Sequence, residues 1–200
     1  MSAVEILGIA ASVSLLAGWR LYLCIFATGL AMRLGALPLP DHLQSLQVLA
    51  DYRVIGLAGF AASCEFLADK VPWVDSLWDT VNTFFRPIGG ALLSLAIVDP
   101  SDPVAQIAAF ILGGGGALLA HSSKAGARAL VNTSPEPMSN IAVSTGEDVA
   151  SFGLLWVIYT YPALAGIVAC ILLVIIITMA LIARKLIKRL FAREKPDQTG

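Results

Sequence analysis

The N-terminal segment VEILGIAASVSLLAGWRLYLCIFATGLAMRL, residues 4–34, is an almost unbroken apolar run that carries one arginine, Arg20, near its middle. As one straight helix the run would be roughly 46 Å long, whereas the hydrocarbon layer of a bilayer is ~30 Å thick. A tilt or a break is therefore needed, and Gly18 is the natural position for it. We expect Arg20 to face the protein interior, toward a carboxylate such as Glu65 or toward an anionic substrate, because an arginine in lipid is costly.

The rest of the chain is also strongly apolar. Of its 200 residues, 58% are hydrophobic and 14% are charged, and the mean hydropathy is +0.81. This apolar excess is larger than a soluble domain of that size can bury, so the sequence predicts a membrane protein. The formal net charge of −1 gives no indication of nucleic-acid binding. Cys24, Cys64 and Cys170 lie in apolar runs without metal-ligand spacing, and we interpret them as small buried hydrophobic residues.

Six apolar stretches are candidate membrane spans, each judged against the ~20 residues that a spanning helix needs. They are residues 4–34, 52–68, 84–98, 104–121, 146–161 and 163–184. The third begins at FFRPIGG and the fifth at STGEDVAS, so we expect polar inner segments there, of a kind that can be re-entrant. The predicted fold class is an all-α polytopic membrane helix bundle with about six spanning helices.

The basic residues predict the orientation of this bundle. With both termini in the cytoplasm, the inner side holds Lys70, Arg86, Lys124, Arg128, Arg184, Lys185, Lys188, Arg189, Arg193 and Lys195. Only Arg33 and Arg53 then lie outside, as the positive-inside rule favours. The segments DPSDP (99–103) and TYP (160–162) become tight outer turns. Residues 187–200 form a basic cytoplasmic tail that is partly disordered.

A short recurring motif indicates an internal duplication within one membrane domain, residues 1–186. VNTFFRP at 81–87 recurs as VNTSPEP at 131–137, in each case between two spans. A parallel repeat of helix, polar inner segment and helix, over residues 52–100 and 102–161, would produce this pattern. Repeats of this kind place binding sites at their interface.

Acidic residues concentrate in CEFLADKVPWVDSLWD, residues 64–79. A helix that begins at Pro72, a favourable first position, carries a polar stripe opposite its apolar face. The stripe consists of Asp75, Asp79, Asn82 and Arg86. Glu65 and Asp69 lie four residues apart at the end of the preceding span, and Glu65 is the deeper and more costly carboxylate.

A second polar segment has the complementary charge. Continued as helix from the fourth span, AHSSKAGARALVN aligns His121, Lys124, Arg128 and Asn132 on one face. The following TSPEPMSN is interrupted by prolines, so its carbonyls and side-chain oxygens, including those of Ser134 and Glu136, are typical ion ligands. Asn140, Ser144, Glu147 and Ser151 then share a helix face, with Asp148 beside it. The two stripes either neutralise each other or line a polar path.

Four sequence segments are specific in combination: EFLADKVPWVDSLWD, FFRPIGGALL, HSSKAGARALVNTSPEP, and SN with a following ED. Together they resemble a family of bacterial multi-spanning inner-membrane proteins, the domain of unknown function of the DUF4126 type. The resemblance extends from GWRLYL to GEDV and excludes the C-terminal tail. It implies a small multi-pass protein of the bacterial inner (plasma) membrane with these polar segments as its signature, and it implies no substrate or reaction.

We interpret the chain as a small transporter or channel-like protein whose ion path lies between segments 65–86 and 121–148. The expected substrate- or ion-binding residues are Arg20, Glu65, Asp69, Asp75, Asp79, Arg86, His121, Lys124, Arg128, Asn132, Ser134, Glu136, Asn140, Glu147 and Asp148. A proton or a hard cation is favoured, because no thiol or histidine cluster accompanies the carboxylates. If a metal ion binds, its ligands would come from Glu65, Asp69, Asp75 and Asp79. An anion such as phosphate, held by the lysines and arginines, stays an alternative.

Two other classes of protein fit the same residues. One is a membrane scaffold or assembly protein, in which the charged stripes pair with each other. The other is a metal-dependent enzyme acting on lipid headgroups through the two aspartates of DSLWD, although the fuller signature of lipid phosphotransferases is missing. We expect no enzyme activity and no cofactor other than a bound cation. The expected partners are membrane lipid and a small ion or polar solute. A second copy of the chain is a further candidate, because the small residues Gly113–Gly116 permit close helix contact either within one protomer or between two.

Overall fold

The computed structural model describes residues 2–35, 41–99, 101–131 and 137–193, and over these residues the chain is α-helical apart from one 3-10 helix and short connections. The α-helices are α1 (Ala3–Arg33), α2 (Tyr52–Ala68), α3 (Pro72–Ile97), α4 (Pro103–Val131), α5 (Pro137–Thr160) and α6 (Pro162–Arg193), and the 3-10 helix is Asp41–Ala50. The predicted all-α bundle with about six long helices is confirmed.

Four of the helices in the described part of the chain are long and apolar enough to cross a membrane. The candidate spans are Val4–Arg33, Pro103–Arg128, Ile141–Thr160 and Pro162–Leu186. Helix α2 has only 17 residues and α3 contains the charged side chains of Asp75, Asp79 and Arg86, and neither helix is selected by length and composition. Large apolar side chains remain exposed along the bundle, for example Leu112, Trp156 and Val174, as expected of surfaces that face lipid.

The polar inner segments belong to long helices and are not separate re-entrant pieces. Helix α3 begins at Pro72, as predicted, but it continues through Pro87 to Ile97, so the expected span at 84–98 is the second half of one helix. Proline is tolerated inside a membrane helix when neighbours compensate for the missing backbone hydrogen bond. Helix α5 likewise begins at Pro137, well before STGEDVAS. Among the cysteines, only Cys24 is buried, which corrects the expectation for Cys64 and Cys170.

Helix α1 breaks at Arg20, which has φ −143° and ψ 64° inside an otherwise helical segment. The predicted break is therefore real but lies two residues beyond Gly18. Gly18 instead allows close packing on α4, because a Cβ atom added there would lie 2.6 Å from the Cβ of Ala120. Gly18 thus allows close contact between α1 and α4, and the break itself lies at Arg20.

The two arms of α1 point toward the same end of the bundle. In the first arm, the Ser12 hydroxyl donates to the Ala165 carbonyl at 2.7 Å, and in the second arm Thr28 hydrogen-bonds Tyr159 at 3.0 Å. Ala165 and Tyr159 lie on either side of the short turn between α5 and α6. In a straight helix, sixteen residues would separate Ser12 and Thr28 by about 24 Å along the axis. Helix α1 is thus folded back on itself at Arg20.

The bundle therefore has two distinct ends. The turn end holds the α3–α4 connection and the α5–α6 turn, because Ala10 accepts a hydrogen bond from Ser94 near the end of α3 while Ser12 contacts the start of α6. The loop end holds the connections from α2 to α3 and from α4 to α5. Helix α6 runs from the turn end to the loop end, where a Cβ atom added to Gly126 would lie 3.3 Å from Ala183.

This arrangement places the first and last described residues at opposite ends of the bundle, whereas the sequence predicts both termini on one side of the membrane. The N-terminal end of α1 lies at the turn end, and the last described residues of α6 lie at the loop end. The physical reason is the fold-back at Arg20, which returns α1 to the side from which it started. The predicted disordered tail beyond Arg193 falls outside the described residues.

Cysteine labelling tests this topology. In a variant with Cys64 and Cys170 replaced by serine, Ser2→Cys and Lys185→Cys should react with a membrane-impermeant maleimide from opposite sides of the membrane. The fold-back of α1 places these two exposed positions at opposite ends of the bundle. Labelling of both cysteines from the same side would contradict the fold-back and would indicate that α1 crosses the membrane completely.

Candidate ion-binding site

A cluster of ten charged side chains surrounds the break in α1, and we refer to it as the charge cluster. Its cations are Arg20, Arg86, Lys124 and Arg128, and its carboxylates are Glu65, Asp69, Asp75, Asp79, Glu147 and Asp148. Eight of the ten are buried, and the side chains of Glu147 and Asp148 are 17% and 21% exposed. Every helix from α1 to α5, or the connection that follows it, contributes at least one member. All these residues were predicted site residues, and the fold brings them together.

Arg20 connects the two sides of the charge cluster. Its guanidinium contacts Asp69, at the end of α2, and lies 3.9 Å from Glu65. On the α5 side it lies 3.2 Å from Glu147 and 3.1 Å from Asp148. The expectation that Arg20 faces a carboxylate is confirmed, with Asp69 and not Glu65 as the closer partner. One buried arginine thus links α2 to α5.

Two other cations of the charge cluster bind the backbone at the break. Arg86 donates to the Gly18 carbonyl at 3.3 Å, and Lys124 donates to the Trp19 carbonyl at 3.3 Å. A helix end leaves backbone carbonyls without N–H partners, and in an apolar environment such carbonyls need other donors. The break and the charge cluster therefore stabilise each other. These carbonyls were not predicted as site groups, because a carbonyl gives no sequence signal.

His121 holds Arg86 in place. The Arg86 guanidinium contacts Glu65, lies 3.6 Å from Asp79, and donates to Nδ1 of His121 at 2.8 Å. Because Nδ1 accepts this bond, the ring proton belongs on Nε2, which lies 3.0 Å from the Asp79 carbonyl and 3.1 Å from the Thr83 hydroxyl. We assign His121 as a neutral imidazole that orients Arg86 and does not itself carry an ion.

Asp69 is the most heavily paired carboxylate of the charge cluster. Besides Arg20, it lies 3.2 Å from Arg128 and 3.6 Å from Lys124. Glu147 lies 3.7 Å from both Lys124 and Arg128, so the same two cations serve α2 and α5.

The charge cluster contains more carboxylates than cations. With six ionised carboxylates, four cations and a neutral His121, its formal charge is −2, and the nearby Lys70, which interacts electrostatically with Asp148, reduces this to −1. An uncompensated buried charge costs several kcal/mol, as a rule about 3–5 kcal/mol when one partner of a buried pair is missing. A charge cluster of this composition therefore favours the uptake of a proton or a cation.

One cavity is lined by members of the charge cluster, and a second lies nearer the turn end. A cleft of about 210 Å³ between α3 and α4 near the loop end is lined by Asp75, Asp79 and Arg128, with neighbouring hydroxyl groups. A second cavity of about 320 Å³ lies between the second arm of α1 and α5, toward the turn end, and includes Phe152 and Tyr159. Phe152 is one helical turn beyond Asp148, but no member of the charge cluster lines this second cavity.

Four of the predicted site residues lie wholly or partly outside the residues that the structure describes. Asn132, Ser134 and Glu136 lie outside the described residues, and the same holds for the side chain of Asn140. Over the part of the chain that the structure describes, no group of three or more His, Cys, Asp or Glu side chains is arranged to hold a metal ion. The metal set expected from Glu65 and the three aspartates is therefore not assembled among the described residues, because the cations separate these carboxylates.

The fold and the site define an all-α membrane protein with a buried charge cluster at a broken helix. The family model Domain of unknown function (DUF4126) matches residues 7–181, and the chain belongs to this family. The resemblance found in the sequence motifs is thus confirmed. No curated protein matches the chain, and no solved structure matches it.

Removal of the Arg20 charge should strongly destabilise the protein. Arg20→Met leaves Asp69 and Glu147 with fewer partners, and we expect a loss of about 3–5 kcal/mol, seen as a lower melting temperature in detergent. The matched control is Arg33→Met in the same helix, whose side chain makes one exposed hydrogen bond to the Ala50 carbonyl. If both variants melt like the wild-type protein, Arg20 does not hold the fold.

Proposed function

We propose that this protein is a small membrane transporter or channel that moves a small ion, in preference a proton or a cation, through the charge cluster. The observation that carries this proposal is a buried charge cluster in which carboxylates outnumber cations, with a cleft that is lined by three of its members. Ionisable groups inside a membrane bundle are costly and most often mark an ion or proton path. Broken helices near the middle of a bundle are a recurring feature of ion sites in transporters.

The contacts suggest the order in which an ion would meet the carboxylates. Asp79 lines the cleft near the loop end and pairs with Arg86, which in turn contacts Glu65. Arg20 lies between Glu65 and Asp148, beyond which the second cavity begins. A proton or cation that passes along this series would weaken the arginine pairs one after the other, and Arg20 is the natural gate.

A cation is a better match than an anion. Each of the four cations of the charge cluster already lies within 4 Å of a carboxylate, with Arg128 and Lys124 both next to Asp69. An anion such as phosphate would have to displace these carboxylates. A proton or cation instead compensates the surplus negative charge directly.

The basic residues support an orientation with the loop end in the cytoplasm of a bacterium. Arg184, Lys185 and Lys188 on α6 lie at that end, and Arg33 and Arg53 lie at the turn end. This distribution agrees with the positive-inside rule for a bacterial inner membrane. The N-terminus would then be outside, in contrast to the orientation expected from the sequence.

A scaffold role is the second candidate, and one observation favours it. All four cations of the charge cluster are paired with carboxylates, so the cluster could serve only to join the helices. The lipid-headgroup enzyme is less well supported, although Asp75 and Asp79 both line the cleft. We therefore propose that the chain has no enzyme activity and binds no cofactor other than the ion.

Ion flux into liposomes tests the proposed function. Purified protein should carry one of H⁺, Na⁺, K⁺, Mg²⁺, Ca²⁺ or phosphate, and Glu65→Gln should abolish that flux because it removes the deepest carboxylate from contact with Arg86. Glu5→Gln is the matched control, since Glu5 belongs to an exposed capping box at the start of α1 where glutamine is also suitable.

Three outcomes separate the candidates. Flux that survives in Glu5→Gln and disappears in folded Glu65→Gln identifies a transporter and its ion. Flux that is equal in both variants would exclude a path through Glu65. A wild-type protein without flux for any of these ions would favour the scaffold role.

A further inference from the structure

We propose that the cleft between α3 and α4 binds one hydrated divalent cation of the Mg²⁺ class, held by Asp75 and Asp79. The inference deepens the proposed function, because it names the class of ion and the place where the ion enters the charge cluster. It rests on the proposed function only for the role of that ion in transport. Binding itself is a property of the cleft and can be measured without any flux.

The first observation is that two buried carboxylates line the cleft. Asp75 and Asp79 lie one turn apart on α3, and their exposed fractions are 0% and 6%. The Oδ1 atom of Asp79 is buried and accepts no hydrogen bond, and its ion-pair partner Arg86 lies 3.6 Å away, beyond hydrogen-bond distance. A buried carboxylate oxygen without a hydrogen-bond donor is costly, so Asp79 favours a positively charged ligand in the cleft.

The threonine hydroxyl groups of the cleft present oxygen lone pairs. Thr80 donates its hydroxyl proton to the Ser76 carbonyl at 2.8 Å, and Thr83 donates to the Asp79 carbonyl at 2.9 Å. Thr83 also lies 3.1 Å from Nε2 of His121, which carries the ring proton. Because both hydroxyl protons are bound by the backbone, the two threonines can act only as acceptors toward the cleft. The water shell of a cation supplies the donors that such acceptors need.

The positive charge of Arg128, which also lines the cleft, is compensated from outside the cleft. Arg128 lies 3.2 Å from Asp69 and 3.7 Å from Glu147, and neither of these carboxylates lines the cleft. An anion in the cleft would have to draw Arg128 away from both, and it would be repelled by Asp75 and Asp79. The cleft therefore favours a cation over an anion such as phosphate.

The size of the cleft favours a cation that keeps its water. The cleft has a volume of about 210 Å³, and six water molecules at ~30 Å³ each occupy roughly 180 Å³. Mg²⁺ dehydrates reluctantly and is bound through one or two carboxylates, whereas Ca²⁺ takes about six to eight direct oxygen ligands. Two carboxylates also match a double positive charge. A hydrated ion needs no set of three or more metal-binding side chains, and the described part of the chain holds none.

Occupancy of the cleft acts on the interior of the charge cluster through Asp79. A cation in the cleft attracts Asp79 and weakens its long ion pair with Arg86. Arg86 is then held by Glu65 and by the Gly18 carbonyl at the break of α1. One arginine thus connects the cleft near the loop end to the break.

Isothermal titration calorimetry of the purified protein with MgCl₂ tests the proposal. The wild-type protein should bind one Mg²⁺ per chain, and cobalt(III) hexaammine should compete for the same site, because it has the shape of hydrated Mg²⁺ and no exchangeable ligands. Asp79→Asn should weaken binding by about tenfold or more, since it removes one charge from the cleft. Asp102→Asn is the matched control and should bind like the wild-type protein, because Asp102 is an exposed cap of α4 and asparagine caps equally well.

Thr80→Val supplies a second variant that changes no charge. Valine has the shape of threonine without the hydroxyl group, so Mg²⁺ binding should weaken severalfold while the melting temperature stays near that of the wild-type protein. Thr178→Val is the matched control, since Thr178 is also exposed and also donates to the carbonyl four residues earlier.

The outcomes separate the site from the proposed function. The proposal would be overturned by a wild-type protein that binds no Mg²⁺, by cobalt(III) hexaammine that does not compete, or by a folded Asp79→Asn variant that binds Mg²⁺ as tightly as the wild-type protein. Mg²⁺ binding without ion flux in liposomes would leave the site in place and reject transport. Flux of another ion without Mg²⁺ binding would keep transport and reject the site.

Discussion

The contact of Arg20 with carboxylates from two sides is the interaction on which the rest of the structure depends. Arg20 joins Asp69, at the end of α2, to Glu147 and Asp148 on α5. Because it lies at the break of α1, the same side chain sets the fold-back that brings both arms to the turn end. An arginine exposed to lipid and backbone carbonyls without hydrogen-bond donors would each cost free energy. The contacts within the charge cluster avoid both costs.

The arrangement also gives a physical reason for the pattern of small and polar residues around α1. Gly18 allows α4 to approach closely, which places Lys124 near the Trp19 carbonyl, and Arg86 of α3 reaches the Gly18 carbonyl. Helices α2 and α4 run toward the loop end, and α3 and α5 run back from it toward the turn end. This is the arrangement that a parallel duplication of residues 52–100 and 102–161 would produce, and the duplication itself stays a prediction.

Much of the candidate site could be predicted from the sequence, because charge inside an apolar chain is a strong local signal. Glu65, Asp69 and Lys124 were expected to meet, since their helical spacing places each on a polar stripe. The break in α1 could also be expected from the length of its apolar run. The location of the break at Arg20 could not be predicted. It depends on which side chains can donate hydrogen bonds to the backbone carbonyls at the break, and these side chains are distant from α1 in sequence.

The end of the bundle at which α1 begins could not be predicted for the same reason. Counting apolar runs treats each long run as one crossing, whereas the direction of α1 after Arg20 is set by tertiary contacts such as that of Thr28 with Tyr159. The neutral state assigned to His121 likewise follows from a partner on another helix. The most direct test of the account is a distance measurement by pulsed electron paramagnetic resonance between spin labels at Val4→Cys and Leu34→Cys, two exposed positions at the ends of α1, with Cys64 and Cys170 replaced by serine. The account predicts a separation well below the roughly 45 Å of a straight thirty-residue helix, and a separation near that value would contradict it.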